Sequence, residues 1–122
     1  MAAECKVTIS AQITGLGQLF EMVDTFTTTT TATRKTYGYQ VQAVADTAEA
    51  LDLGDVTTPE LIIIRCIAND VDIDTSYSVS FSAELTVNEG EVAVFKPVGS
   101  AVYLKNDDAA ESFTVEYIVV GT

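Results

Sequence analysis

The 122-residue sequence has no histidine and no tryptophan, only two cysteines and two prolines, and six basic residues against 18 acidic ones. Each shortage excludes something. Without histidine the commonest general base is missing, along with Ser-His-Asp and Cys-His arrangements and most zinc sites. The cations Lys6, Arg34, Lys35, Arg65, Lys96 and Lys105 stand singly or as one pair, so no basic stripe exists to displace counterions from phosphates. With a net charge of -12, the chain is expected to bind neither nucleic acid nor an anionic membrane surface. Basic protein surfaces are the partners this charge favours, and solubility alone is the plainer account of it. No apolar run approaches the roughly 18 residues of a membrane-spanning helix. The opening Met1-Ala2-Ala3-Glu4-Cys5-Lys6 lacks a basic leader followed by an apolar core, so no secretory signal is expected. Cys5 and Cys66 read as two buried thiols of a protein folded in a reducing compartment, with a disulfide between them as the alternative.

What is present is period-two alternation, the pattern of half-buried strands. Residues 6–14 place Val7, Ile9, Ala11 and Ile13 on one face, and Gly15 and Gly17 then punctuate the chain. Residues 18–26 supply a second, less regular strand. Residues 25–33 are nearly all threonine, a β-branched residue suited to a solvent-facing strand or to an extended arm between subunits. Residues 36–45 alternate again, with Tyr37, Tyr39, Val41 and Ala43 on one face. Residues 46–55 break the pattern, as a helical turn over 48–53 or as a short strand. The apolar run 61–67, interrupted by Arg65, predicts a strand covered on both faces. Tyr77, Val79, Phe81 and Ala83 alternate with serines and predict another strand. Shorter strands are expected at 92–95 and 101–104, and a final one at 112–120. Eight or nine short strands in one domain spanning residues 1–122, with 1–6 as a candidate arm, predict an all-β antiparallel sandwich. A jelly roll is the natural closure at this length.

Few groupings suggest chemistry. Asp70, Asp72 and Asp74 alternate as oxygen ligands of calcium could. An EF-hand starting at Asp70 would need glycine at Thr75 and an acid at Phe81, so a solvated loop of like charges is the plainer reading. Glu84, Glu89, Glu91 and Glu116 could pair as glycosidase carboxylates, although such acids commonly line wet strand faces. The five tyrosines, Tyr37, Tyr39, Tyr77, Tyr103 and Tyr117, could form a sugar platform, or fill a core margin or an interface. No catalytic residue, resident metal or cofactor is assigned.

The second half carries a more specific pattern. Leu51-Asp-Leu-Gly54-Asp55 and Thr57-Thr58-Pro59 lead into Leu61-Ile-Ile-Ile-Arg65. Leu85-Thr-Val-Asn-Glu-Gly90-Glu91-Val-Ala-Val-Phe95, Ala101-Val-Tyr103-Leu-Lys105 and Phe113-Thr-Val-Glu-Tyr117 follow. This order, over residues 51–120, resembles small β-sandwich virion proteins of tailed bacteriophages, including capsid decoration (cement) proteins and other head or tail accessories. The resemblance implies an architectural role, frequent trimers, and a major capsid protein or another virion protein as partner. The location it implies is the virion, after assembly in the host cytoplasm. The expected function is therefore a decoration protein that binds and stabilises the head shell. Residues Thr27, Thr28, Thr29, Thr30, Thr31, Arg34 and Lys35 are the candidates for reaching a neighbouring subunit. The alternative is a carbohydrate-binding or adhesion module of a tail fibre or baseplate, with exposed tyrosines beside the Asp70–Asp72–Asp74 segment. A hydrolase using glutamate pairs is the third class.

Overall fold

A computed structural model describes residues 4–17, 20–29 and 31–122. Every regular element among them is a strand, and every pairing is antiparallel. The chain divides into two compact units, Met1–Thr31 and Ala32–Thr122. The expected sandwich thus resides in the second unit, and the first forms its own two-stranded sheet.

That first unit is a hairpin of β1 (Glu4–Ile13) and β2 (Phe20–Thr29), in register from Glu4 opposite Thr29 to Ile13 opposite Phe20. Gly15 and Gly17 take φ of 86° and 90° in the connection, a region where side chains are costly. The alternation separates two faces. Val7, Ile9, Ala11 and Ile13 share one with Met22 and Phe26, while a Thr8–Thr25 hydroxyl contact and a Gln12–Glu21 bond, both 2.9 Å, mark the other.

The second unit holds β3 (Arg34–Val41), β4 (Glu49–Ala50), β5 (Pro59–Ala68), β6 (Val71–Asp74), β7 (Leu85–Val87), β8 (Val92–Phe95), β9 (Tyr103–Lys105) and β10 (Thr114–Gly121). They form two four-stranded sheets, ordered β3-β10-β5-β8 and β4-β9-β6-β7. Ile62, Ile64, Cys66, Val115, Tyr117 and Val119 from the first sheet meet Val71, Ile73, Val87, Val102 and Leu104 from the second, with Phe113 fully buried among them. Burying each such side chain contributes about 1.5–3 kcal/mol. This one core, rather than any crosslink, holds the sheets together: Cys66 is buried and free, and Cys5 is half-buried and free.

Two sequence expectations are corrected and one open alternative is decided. Residues 75–84 form no strand. Their serines and apolar residues alternate at strand spacing, but carboxylates capture the backbone instead: Asp74 accepts from the amides of Ser76 and Ser82, and Glu84 from that of Thr75. The acidic run is not a solvated loop, because Val71 and Ile73 point into the core and make it strand β6. Of the two alternatives for the 46–55 break, the structure has the short strand, β4, and no helix.

Candidate functional site

Strand β3 explains why the sheet β3-β10-β5-β8 keeps an apolar outer face. Its inward row is polar: Thr36, Gly38, Gln40 and Gln42. Thr36 donates to the Leu53 carbonyl at 2.7 Å, and Gln40 donates to the Ala50 carbonyl and accepts from the Asp52 amide, both at 2.9 Å. Gln42, buried, donates to the carbonyls of Thr47 and Asn106. These bonds tie β3 to the connection that follows it. Gly38 lies opposite Tyr117, whose hydroxyl would stand 3.2 Å from any Cβ there, so glycine makes room for the ring. With its polar row used inward, β3 presents Lys35, Tyr37, Tyr39 and Val41 outward.

The register extends that row across the sheet. Tyr37 stands opposite Ile118, Ile118 opposite Ile63, and Ile63 opposite Val94, giving one apolar rank over four strands. The neighbouring rank runs Tyr39, Glu116, Arg65, Val92. Tyr37 and Tyr39 are each 61% exposed and Val92 57%, in place of the polar outer row an antiparallel sheet usually shows to water. Soluble proteins rarely leave contiguous apolar surface beyond a few hundred Å² uncovered.

Glu116 is the one carboxylate among these ladder positions, and its charge is well contained. The hydroxyls of Tyr39 and Tyr37 donate to its Oε2 at 2.6 and 2.7 Å, and the two rings meet edge to face with centroids 5.9 Å apart. The Tyr39 and Tyr37 bonds, and then the Arg65 charge, hold the Glu116 carboxyl below the usual carboxylate range. Reciprocally, the Tyr37 phenol is pushed above its ordinary value, first by Tyr39 and then by Glu116. Beside this cluster opens a cleft of about 320 Å³ lined by Tyr39, Arg65, Cys66, Ile67, Glu89, Gly90 and Glu116. Burial raises the Cys66 thiol above its ordinary value, which suits an inert core thiol.

The opposite side of the sandwich is acidic. Asp72 stands between Thr86 and Lys105 in the register of β7, β6 and β9, and accepts from the Thr86 hydroxyl at 2.6 Å. Asp74 is 2% exposed and spends both oxygens on the loop amides, while the Asp70 Oδ1 accepts from Asn106 Nδ2 at 3.1 Å. The Ser76 and Thr75 hydroxyls hold the Glu84 carboxyl below its usual range. Tyr77 stacks on Tyr103 at a centroid distance of 3.6 Å. Thus two tyrosines do adjoin the acidic strand, but as a half-buried stacked pair. Among the described residues no three acids or cysteines converge as a metal site, and Asp70, Asp72 and Asp74 each serve a different local partner.

The remaining candidates fall in several places. Thr27, Thr28 and Thr29 belong to β2 and pair with Lys6, Cys5 and Glu4, so this stretch is ladder rather than free arm. Thr30 lies outside the described residues, as do Met1–Ala3 of the expected arm, whereas Glu4–Lys6 belong to β1. Thr31 is exposed, and the exposed Arg34 donates to the Asp55 carbonyl at 2.9 Å. Of these candidates the structure brings only Lys35 onto the apolar sheet face. The face itself was missed as a unit, although its signal was present: residues 61–67 and 117–120 are apolar on both parities. Compared with protein-family models, curated proteins and solved structures, the chain matches none.

Proposed function

We propose that the chain is a structural subunit that adheres to a larger assembly through the outer face of β3-β10-β5-β8. The observation that carries this reading is the cross-strand rank Tyr37–Ile118–Ile63–Val94 beside the contained Glu116. The charged Glu116 already accepts two phenol hydrogen bonds, and covering the apolar ranks beside it gains about 25 cal/mol per Å² of apolar surface removed from water.

The assembly proposed is the head of a tailed bacteriophage, with the chain as a capsid decoration protein. Its support is the residue pattern over 51–120, which in the fold includes all of β5–β9 and nearly all of β10. The strand order adds support. Numbered within the unit, the sheets run 1-8-3-6 and 2-7-4-5, the order produced when a long antiparallel ribbon is wound up as a jelly roll. In this reading the protein folds in the host cytoplasm and resides in the virion. The test is co-sedimentation with capsids lacking the protein, using wild type and Ile118→Asp with Val94→Asp. Wild type should bind in fixed stoichiometry, and the double variant, still folded by circular dichroism, should lose binding at least tenfold. Undiminished binding by that variant refutes the face as the point of attachment.

The cleft supports a second reading, a carbohydrate module: Tyr39 offers a ring, and Arg65, Glu89 and Glu116 offer charged partners for sugar hydroxyls. Retention on a glycan array that Arg65→Ala removes would favour it over capsid attachment.

A further inference from the structure

The two sheets share one core, so their outer faces look in opposite directions, and those faces differ in charge. On the β3-β10-β5-β8 side, Lys35 and Arg65 stand among apolar residues and Lys96 follows Val92 and Val94 on the same alternation, against Glu116 and the exposed Glu89 that lines the cleft with Arg65. That sums to +1 (three cations, two anions) on a chain whose net charge is -12. The β4-β9-β6-β7 side carries Asp70, Asp72 and Glu84, and its Lys105 is paired with Asp46 at 3.1 Å, a sum of -3 (four anions, one cation) with the buried Asp74 left out. It also offers apolar contact, since Tyr77 stacks on Tyr103 and Val79 is 88% exposed.

The geometry points to head-to-tail self-association, in which the cationic apolar face of one sandwich seats on the acidic face of a second copy. This rests on the reading of that face as a docking surface and gives it a second occupant, exclusive with the capsid on any one copy. The charge argues for this arrangement over a two-fold one. Apposing two copies of the apolar face would bring Lys35, Arg65 and Lys96 of both together, whereas front-to-back contact sets faces of opposite net sign against each other. Such a heterologous contact closes into a ring when successive rotations allow and otherwise continues as a stack. Four strands at about 4.8 Å spacing and roughly six residues at about 3.3 Å give a projected face on the order of 400 Å². That is about half the accessible area per partner of a standard interface, so the contact belongs to the weak, concentration-dependent class.

The test is sedimentation velocity of the full chain at low and high salt, with charge reversals on each face. Arg65→Glu with Lys96→Glu alters the cationic side. Thr86→Lys adds a cation to the acidic side at an exposed position and leaves every acid of that side in the sequence, although it removes the hydroxyl that Asp72 accepts from. Wild type should associate at low salt and dissociate at high salt. Each variant alone should associate at least tenfold more weakly, and an equimolar mixture of the two should regain association, with thermal melts showing both folded. Wild type that stays monomeric at high concentration and low salt overturns the inference. So does association weakened by the Arg65 and Lys96 changes but indifferent to Thr86→Lys, the signature of a two-fold contact. A monomer that still binds capsids, and loses them on Ile118→Asp with Val94→Asp, overturns self-association and leaves the docking reading standing.

Discussion

Replacing Asp74 and Asp72 by alanine separates two carboxylates that the sequence pattern treats as equivalent. Asp74 is 2% exposed, and its two oxygens each accept a loop amide at 2.9 Å, from Ser76 and Ser82. Hydrogen bonds to a charged group contribute about 1.5–3 kcal/mol each. Losing both would cost roughly 3–6 kcal/mol if the freed amides stayed dry. Ser76 and Ser82 are exposed, so their amides regain water on loop opening, and the expected cost of Asp74→Ala is about 3 kcal/mol. Asp72 is half-buried and accepts one bond, from the Thr86 hydroxyl, so Asp72→Ala should cost about 1 kcal/mol or less. Urea unfolding followed by far-UV circular dichroism reads the difference, there being no tryptophan to report it. At a slope of about 1.5 kcal/mol/M, the Asp74 variant should lose about 2 M from its midpoint and the Asp72 variant well under 1 M. Midpoints for the two variants within about 0.3 M of each other would refute the claim that Asp74 holds the 75–84 loop.

Two further outcomes follow from the same geometry. A Cβ on Gly121 would overlap the Thr58 carbonyl oxygen and stand 2.8 Å from Val56 Cγ1 and 2.9 Å from Pro59 Cα, so Gly121→Ala must move backbone and should cost about 1–3 kcal/mol by thermal melting; an unchanged melt contradicts the close packing there. Glu84 and Glu116 are held below their ordinary range, by Ser76 and Thr75 and by Tyr39 and Tyr37 respectively. The folded chain therefore binds those protons less tightly than the unfolded one. The stabilisation is complete above the unfolded value of about 4.3 and is lost as pH falls through the lower folded values. Glu116→Gln should flatten part of the acid-side fall in melting temperature, and an identical profile would remove Glu116 from the account.

The strands that were legible in the sequence are those whose apolar period meets the core directly. Residues 92–95 match β8 end for end, and the 61–67 run lies inside β5. Residues 77–83 misled because their period is strand-like while their backbone partners are side-chain carboxylates, a competition that composition does not reveal. The acidic run misled in the opposite sense: its charges suggested a loop, yet Val71 and Ile73 already alternated with Asp72 and Asp74. In β3 the alternation was readable but not which row turns inward. That depended on Thr36, Gln40 and Gln42 finding partners 5 to 17 residues away along the chain. The docking face was hidden for the same reason, since it exists only when β3, β10, β5 and β8 come into register.

The placing of β10 has a consequence for how the protein is made. It lies between β3 and β5, which touch no other neighbour on that side, so one of the two interior strands of the β3-β10-β5-β8 sheet is supplied by residues 114–121. During synthesis, the apolar segment of β5 leaves the ribosome some fifty residues before the strand that covers its edge, Ile62 being partnered by Val119. Folding of the sheet must then wait for residues 114–121, and the partnerships it makes are non-local, the slow kind. Until that moment the nascent chain carries an open, hydrophobic strand edge, and its exposure to aggregation is governed by the rate of translation through residues 69–121.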